Sequence, residues 1–257
     1  MKTTPAIDIA LARRLIDTQF PQWAGLPLLP YAPAGSDHVI YRLGENLSVR
    51  LPRHDGAIEQ AAKEAEWLPR LAPHLPLAVP VLVGAGAAAV ALAGFLTALH
   101  RIDAGTTEDL TGRPLATRDT STRLAIAKVG DAFDTAAMTD LWDTALAAPG
   151  RGGPPVWFHG DFHTGNLLTT NGRLSAVIDF GELGVGDPAR DLIIAFTLMS
   201  AETRATFRTA LDVDDATWTR GRGWALATGL NAYVSYAAVN PRVAAQTTRQ
   251  ITQALLG

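Results

Sequence analysis

HGDFHTGN at residues 159–166, followed by IDFG at 178–181, decides how this sequence is read. Asp161 comes after the apolar run Val156-Trp157-Phe158 and sits in a loop, where a carboxylate can point into a cleft. Asn166 opens the run NLLT (166–169), and Asp179 lies near the end of LSAVIDF (174–180), with Gly181 permitting a sharp turn after it. Asn171-Gly172 between the two runs is the strongest two-residue hairpin signal. A hairpin brings its outer ends together, so Asn166 and Asp179 are expected to face each other with Asp161 beside them. Two oxygen donors on adjacent strands suit a hard cation such as Mg2+, with waters and phosphates completing the shell. A carboxylate outside that shell can take the proton of a hydroxyl. Metal and base together are what phosphoryl transfer needs.

Outward from this stretch, Asp187-Pro188 reads as a helix start, with Asp as N-cap and Pro at the first helical position. Asp191, on the same segment, is expected to brace the 159–161 loop through backbone N–H groups. His159 is expected to hydrogen-bond that loop, whereas His163 could face either substrate or solvent. Helices are expected at about 188–199, 203–211, 215–235 and 242–255, with two more in 121–148. Leu92, Phe95, Leu96 and Leu99 recur at helical spacing and predict another over 88–102. Upstream, Ile7, Leu11 and Leu15 predict a helix over 6–18. Pro21, Pro27, Pro30 and Pro33 then keep the chain extended or turning. HVIYRL (38–43) and LSVRL (47–51) flank Gly44-Glu45-Asn46 as a second hairpin. Residues 55–68 read as a helix and LAVPVLVG (77–84) as a strand. Strands thus dominate the N-terminal third and helices the rest, which is an α+β architecture.

The bulk composition removes several classes of function. A net charge of −3 offers no basic surface for nucleic acid or for an anionic membrane. With no cysteine there is no disulfide, thiolate metal site or cysteine nucleophile. The N-terminal stretch is interrupted by Asp8, Arg13, Arg14 and Asp17 and lacks the apolar core of a signal peptide. The most apolar region, Leu75 to Leu99, is broken by prolines and glycines, against a membrane span. The expectation is a soluble, cytoplasmic protein.

His-Gly-Asp-x-x-x-x-Asn with Ile-Asp-Phe-Gly resembles the aminoglycoside/macrolide phosphotransferase family, whose fold is protein-kinase-like. VIDFGELGVGDPARDL (177–192), TWTRGRGWAL (217–226) and Asn240-Pro241 extend the resemblance. Gly160 stands where protein kinases carry arginine. The resemblance implies a two-lobed fold: a small sheet-bearing N-lobe over residues 1–86 and a larger helical C-lobe over 87–257. It implies ATP and Mg2+ as cofactors, Asp161 as catalytic base, and Asn166 and Asp179 as metal ligands. On the nucleotide side it implies a short covering turn at Gly35-Ser36, a phosphate-binding cation at Arg50, and Glu64 holding that cation. Relatives often carry lysine where Arg50 stands; arginine offers a planar fork instead of a point charge. The implied partner is a small hydroxyl-bearing molecule, an aminoglycoside or related amino-sugar.

One segment departs from the family pattern. LAVPVLVG runs almost directly into the helix carrying Phe95, leaving about a dozen positions for two strands, a hinge and a helix start. The N-lobe therefore reads as truncated to about three strands, and a non-catalytic kinase-like protein with a damaged nucleotide site is the alternative. A remoter rival lies in Val81-Leu82-Val83-Gly84-Ala85-Gly86-Ala87-Ala88-Ala89. With Asp103 beyond it, this stretch approaches the dinucleotide-binding fingerprint of an oxidoreductase. That reading needs a strand at 98–103.

Overall fold

The structure, a computed structural model, describes residues 7–31, 38–45, 47–53, 74, 85–105, 110, 112–170 and 173–257. The chain divides into two compact units, Met1–Glu66 and Trp67–Gly257.

In the first unit, helix α1 (Ile9–Gln19) starts where Asp8 accepts a hydrogen bond from the Leu11 N–H at 2.7 Å. Ala12 and Ile16 form its buried stripe. Three antiparallel strands follow: β1 (Leu28–Pro30), β2 (His38–Leu43) and β3 (Leu47–Pro52), in the order β1-β2-β3. β2 and β3 are the expected hairpin, paired Ile40 to Arg50 and Tyr41 to Val49. Buried His38, Tyr41 and Leu43 anchor β2. β1 was not foreseen, because Pro27 and Pro30 argue against a strand. Among the described residues β1 is bonded to β2 alone, and such an edge position tolerates Pro30, which lacks a donor. The expected helix at 55–68 and strand at 77–84 lie outside the described residues, and so does the shortened hinge segment.

In the second unit, helix α2 (Ala85–Arg101) has a buried face that carries Leu92, Phe95, Leu96 and Leu99. Helical backbone through Arg101 removes the strand that the dinucleotide-binding reading requires. The expected helix pair appears as α3 (Asp119–Val129) and α4 (Thr135–Ala147). They are tied by fully buried Trp142, whose indole N–H donates to Asp119 Oδ1 at 2.8 Å. Two small antiparallel ribbons follow. β4 (Val156–Phe158) pairs with β7 (Gly184–Gly186), and β5 (Leu167–Thr170) pairs with β6 (Arg173–Val177). β7 is a three-residue Gly-Val-Gly strand, too short for its alternation to be read from sequence. Four more helices complete the unit: α5 (Ile193–Leu198), α6 (Ala201–Leu211), α7 (Asp215–Tyr236) and α8 (Pro241–Leu256).

The core of this unit lies among α2–α8 and the inner faces of the ribbons. It reaches the 159–166 loop through Phe162, which is fully buried and stacks on Phe95 at 5.7 Å between ring centroids. A buried anchor within the loop fixes the backbone on either side of it. No helix among the described residues is long and apolar enough to cross a membrane.

Candidate active site

The loop after β4 is held from below. Asp191 is fully buried, and its carboxylate accepts the His159 N–H at 2.7 Å and the Gly160 N–H at 2.8 Å. Burial pushes Asp191 up to about 7, against the pull of the two amides. This is the bracing role expected of Asp191. Gly160 has φ +87°, and a Cβ there would collide with the Glu182 carbonyl oxygen. Both its conformation and this close approach call for glycine.

His159 is fully buried, and burial lowers its ring to about 4, so it is neutral. Nδ1 accepts the Asp161 N–H at 3.2 Å, which leaves the proton on Nε2, 2.9 Å from the Ile178 carbonyl. The ring therefore links the 161 loop to the strand end that precedes Asp179. It is a structural histidine, as its position suggested.

From this base Asp161 turns outward. Its side chain is 48% exposed. Burial alone would raise its carboxyl, but the His163 ring, His159 and the Asn166 amide outweigh it and hold the group down at about 2. Asn166 Nδ2 donates to Asp161 Oδ2 at 2.9 Å and to the Asp161 carbonyl at 2.8 Å. Asn166 itself is buried, in a single 3-10 turn (Thr164–Asn166) just before β5. Across the ribbon Leu167 pairs with Val177, and the Ile178 N–H donates to the Asn166 carbonyl at 2.9 Å. The hairpin thus brings Asn166 opposite the residue preceding Asp179.

Asp179 has φ +64° and ψ +68°, a left-handed conformation that a non-glycine residue adopts at a cost. That strain turns the chain sharply into the 3-10 turn Phe180–Glu182. Asp161, Asn166 and Asp179 are therefore gathered at one end of the β5–β6 ribbon. No group of three or more His, Cys, Asp or Glu among the described residues could form an all-protein metal cage. The donor set here, an amide oxygen and one carboxylate, fits Mg2+, which keeps waters and takes phosphate oxygens.

Arg50 is half-buried on β3, in the first unit. Gly35, Ser36 and Glu64 lie outside the described residues. Two arginine contacts were not foreseen. Asp187 is the expected N-cap, accepting the Ala189 N–H at 3.1 Å. Its carboxylate also takes a two-pronged ion pair from buried Arg220 on α7, at 2.6 and 3.2 Å. Arg190 reaches Glu182 at 2.8 Å, beside the Asp-Phe-Gly turn. A separation of 33 positions along the chain hid the Asp187–Arg220 pair from local patterns.

The phosphotransferase enzyme family matches residues 83–224, more than half of the chain. The chain belongs to that family. No curated protein matches it. Among solved structures, this phosphotransferase is similar to a GDP complex of wild-type aminoglycoside 2'-phosphotransferase-IIIa. The TM-score is 0.72 at 17% identity, covering 97% of this chain and 99% of the other. A streptomycin–ATP ternary complex of APH(2")-IIa gives 0.63 at 18% identity, covering 96% and 99%. The apoenzyme of macrolide 2'-phosphotransferase MphH from Brachybacterium faecium gives 0.61 at 23%, covering 93% and 98%. These likenesses establish the kinase-like fold of the phosphotransferase, with a small sheet-bearing lobe and a larger helical one.

Proposed function

We propose that this phosphotransferase moves the γ-phosphate of ATP to a hydroxyl of a small molecule, with an aminoglycoside or related amino-sugar as the acceptor class. The observation that carries this reading is the gathering of Asp161, Asn166 and Asp179 at the end of the β5–β6 ribbon, with Asp161 braced from beneath and half-exposed. Asp161 accepts the hydrogen bond of the acceptor hydroxyl and aims its oxygen at the phosphorus. A carboxylate held at about 2 is too weak to strip an alcohol before attack. It orients the hydroxyl and receives the proton late, which suits a loose transition state with little bond formation to the nucleophile.

Asn166 and Asp179 are the proposed Mg2+ ligands. When bound, the metal offsets charge on the phosphate oxygens. Arg50, oriented by Glu64, contacts the phosphates from β3, and the Gly35-Ser36 turn covers them. In this division of labour residues 1–86 hold the nucleotide and residues 87–257 carry the base and the metal ligands. The aminoglycoside and macrolide enzymes of like fold, and the nucleotides in their complexes, support the choice of substrate class.

Binding is tested by the melting temperature with and without Mg-ATP. The account predicts a rise that needs both components and is weakened in Asn166→Ala and Asp179→Ala. A melting temperature indifferent to Mg-ATP contradicts the nucleotide-binding reading.

A further inference from the structure

His163 was open to two sequence readings, toward substrate or toward solvent; the structure leaves its side chain 28% exposed and brings its ring beside Asp161. Its Nδ1 accepts the Gly165 N–H at 3.0 Å, so the ring proton sits on Nε2. That Nε2 lies 3.4 Å from Asp161 Oδ2 and 3.5 Å from Asn166 Nδ2. The ring lies over Gly165, where an added Cβ would stand 2.6 Å from His163 Cε1. The backbone is tied around it as well. The His163 N–H donates to the Asp161 carbonyl, and the Asn166 N–H to the His163 carbonyl, both at 3.0 Å. Thr164 accepts a hydrogen bond from Gln246 of α8 at 3.3 Å, which anchors the same turn to the helical core.

The consequence falls on one oxygen. Asp161 Oδ2 is met by two donors, Asn166 Nδ2 at 2.9 Å and His163 Nε2 at 3.4 Å. A carboxylate free to spin about its last bond would offer either oxygen to a hydroxyl. Two donors on one side select which oxygen turns outward.

We propose that His163 is a positioning residue for the base: with Asn166 it pins Asp161 Oδ2, so that Oδ1 is the oxygen presented to the acceptor hydroxyl. The 3.4 Å separation is longer than a finished N–H···O bond, and such contacts often tighten only when substrate is bound. The proposal rests on the assignment of Asp161 as base. It also explains the one-residue gaps in Asp-x-His-x-Gly-Asn: the histidine bridges back to the aspartate, and glycine clears the space for its ring.

Two substitutions separate positioning from mere capping. His163→Asn keeps an acceptor where Nδ1 sits but cannot reach Asp161. His163→Gln extends to where Nε2 sits and can still donate. We expect His163→Asn to lower kcat by about ten- to a hundredfold, the cost of a misplaced reacting group. KM for ATP should be unchanged, and His163→Gln should recover most of the rate. Equal rates in His163→Asn and wild type, or equal losses in both variants, overturn the proposal. Crystal structures of the variants decide it apart from turnover. Asp161 should keep its orientation in wild type and His163→Gln and rotate in His163→Asn. An unrotated Asp161 in His163→Asn overturns the proposal. Absence of any phosphoryl transfer by wild type, with that rotation observed, instead removes the phosphotransfer reading and leaves the positioning geometry standing.

Discussion

Asp191→Asn changes one atom of a fully buried side chain and tests how the catalytic loop is supported. The carboxylate accepts two N–H groups, from His159 at 2.7 Å and Gly160 at 2.8 Å, one on each oxygen. Asparagine keeps one oxygen and replaces the other with an NH2, which points a donor at a donor. One buried N–H is then orphaned, at a cost of about 1–3 kcal/mol. For a chain of this size each kcal/mol moves the melting temperature by roughly 2–4 °C, so a fall of about 2–12 °C is expected. The same strain displaces the backbone that carries Asp161, two residues along, and kcat should fall at least about tenfold. Differential scanning calorimetry and steady-state phosphoryl-transfer rates measure the two effects on one preparation. Asp140→Asn, at an exposed position on α4, is the control and should change neither. Full stability together with full activity in Asp191→Asn would refute the bracing argument.

Other outcomes follow from the same geometry. Gly160→Ala must leave φ +87° and push against the Glu182 carbonyl, so its melting temperature should fall and its turnover with it; an alanine variant of wild-type stability contradicts the close approach. Asp187→Ala takes from buried Arg220 its two-pronged ion pair, leaving among the described residues hydrogen bonds to Pro149 O and Thr217 Oγ1, and should cost about 3 kcal/mol by denaturant titration. The pH dependence has a definite sign. His159 takes a proton near 6.5 when unfolded but only near 4 when folded, because burial disfavours its charge. The stability this provides is complete above about pH 6.5 and is lost as pH falls to about 4, worth about 3 kcal/mol. Asp191, raised to about 7, works the opposite way, its stabilisation being lost as pH rises through that value. Asp191→Asn removes the opposing contribution, so its melting temperature should fall more steeply than that of wild type between pH 6.5 and 4.5. A shallower fall contradicts the assignment.

The parts legible in the sequence were those fixed by short spacings. The runs 166–169 and 174–180 pair as the β5–β6 ribbon, although the Asn171-Gly172 turn expected between them lies outside the described residues, and the ribbon dictated that Asn166 and Asp179 approach each other. Apolar spacing at Leu92, Phe95, Leu96 and Leu99 gave α2. Asp187-Pro188 marked a helix start, although its first turn is 3-10 (Pro188–Leu192) before α5 begins. What escaped depended on distant partners. β1 exists because a proline-bearing segment can serve as the edge of a sheet whose other strands lie further on. β7 is three residues long and is a strand only through its bonds to β4. Arg220 is an unremarkable helix arginine until folding places it against Asp187. The aim of His163 was undecidable because it follows from the handedness of a single tight turn and from the missing side chain at Gly165. For β1, β7 and Arg220 the deciding contact joins residues that no local pattern relates.

The central claim is that Asp161 is the base of a phosphoryl transfer. The most direct measurement is the Mg2+-dependent transfer of γ-labelled phosphate from ATP to a panel of aminoglycosides and other hydroxyl acceptors, by wild type and by Asp161→Asn. The account predicts labelled product from wild type with at least one acceptor. It predicts a loss of at least about a hundredfold in Asp161→Asn, the scale of a removed general base, with the melting temperature in Mg-ATP retained. Product formed equally by Asp161→Asn would contradict it.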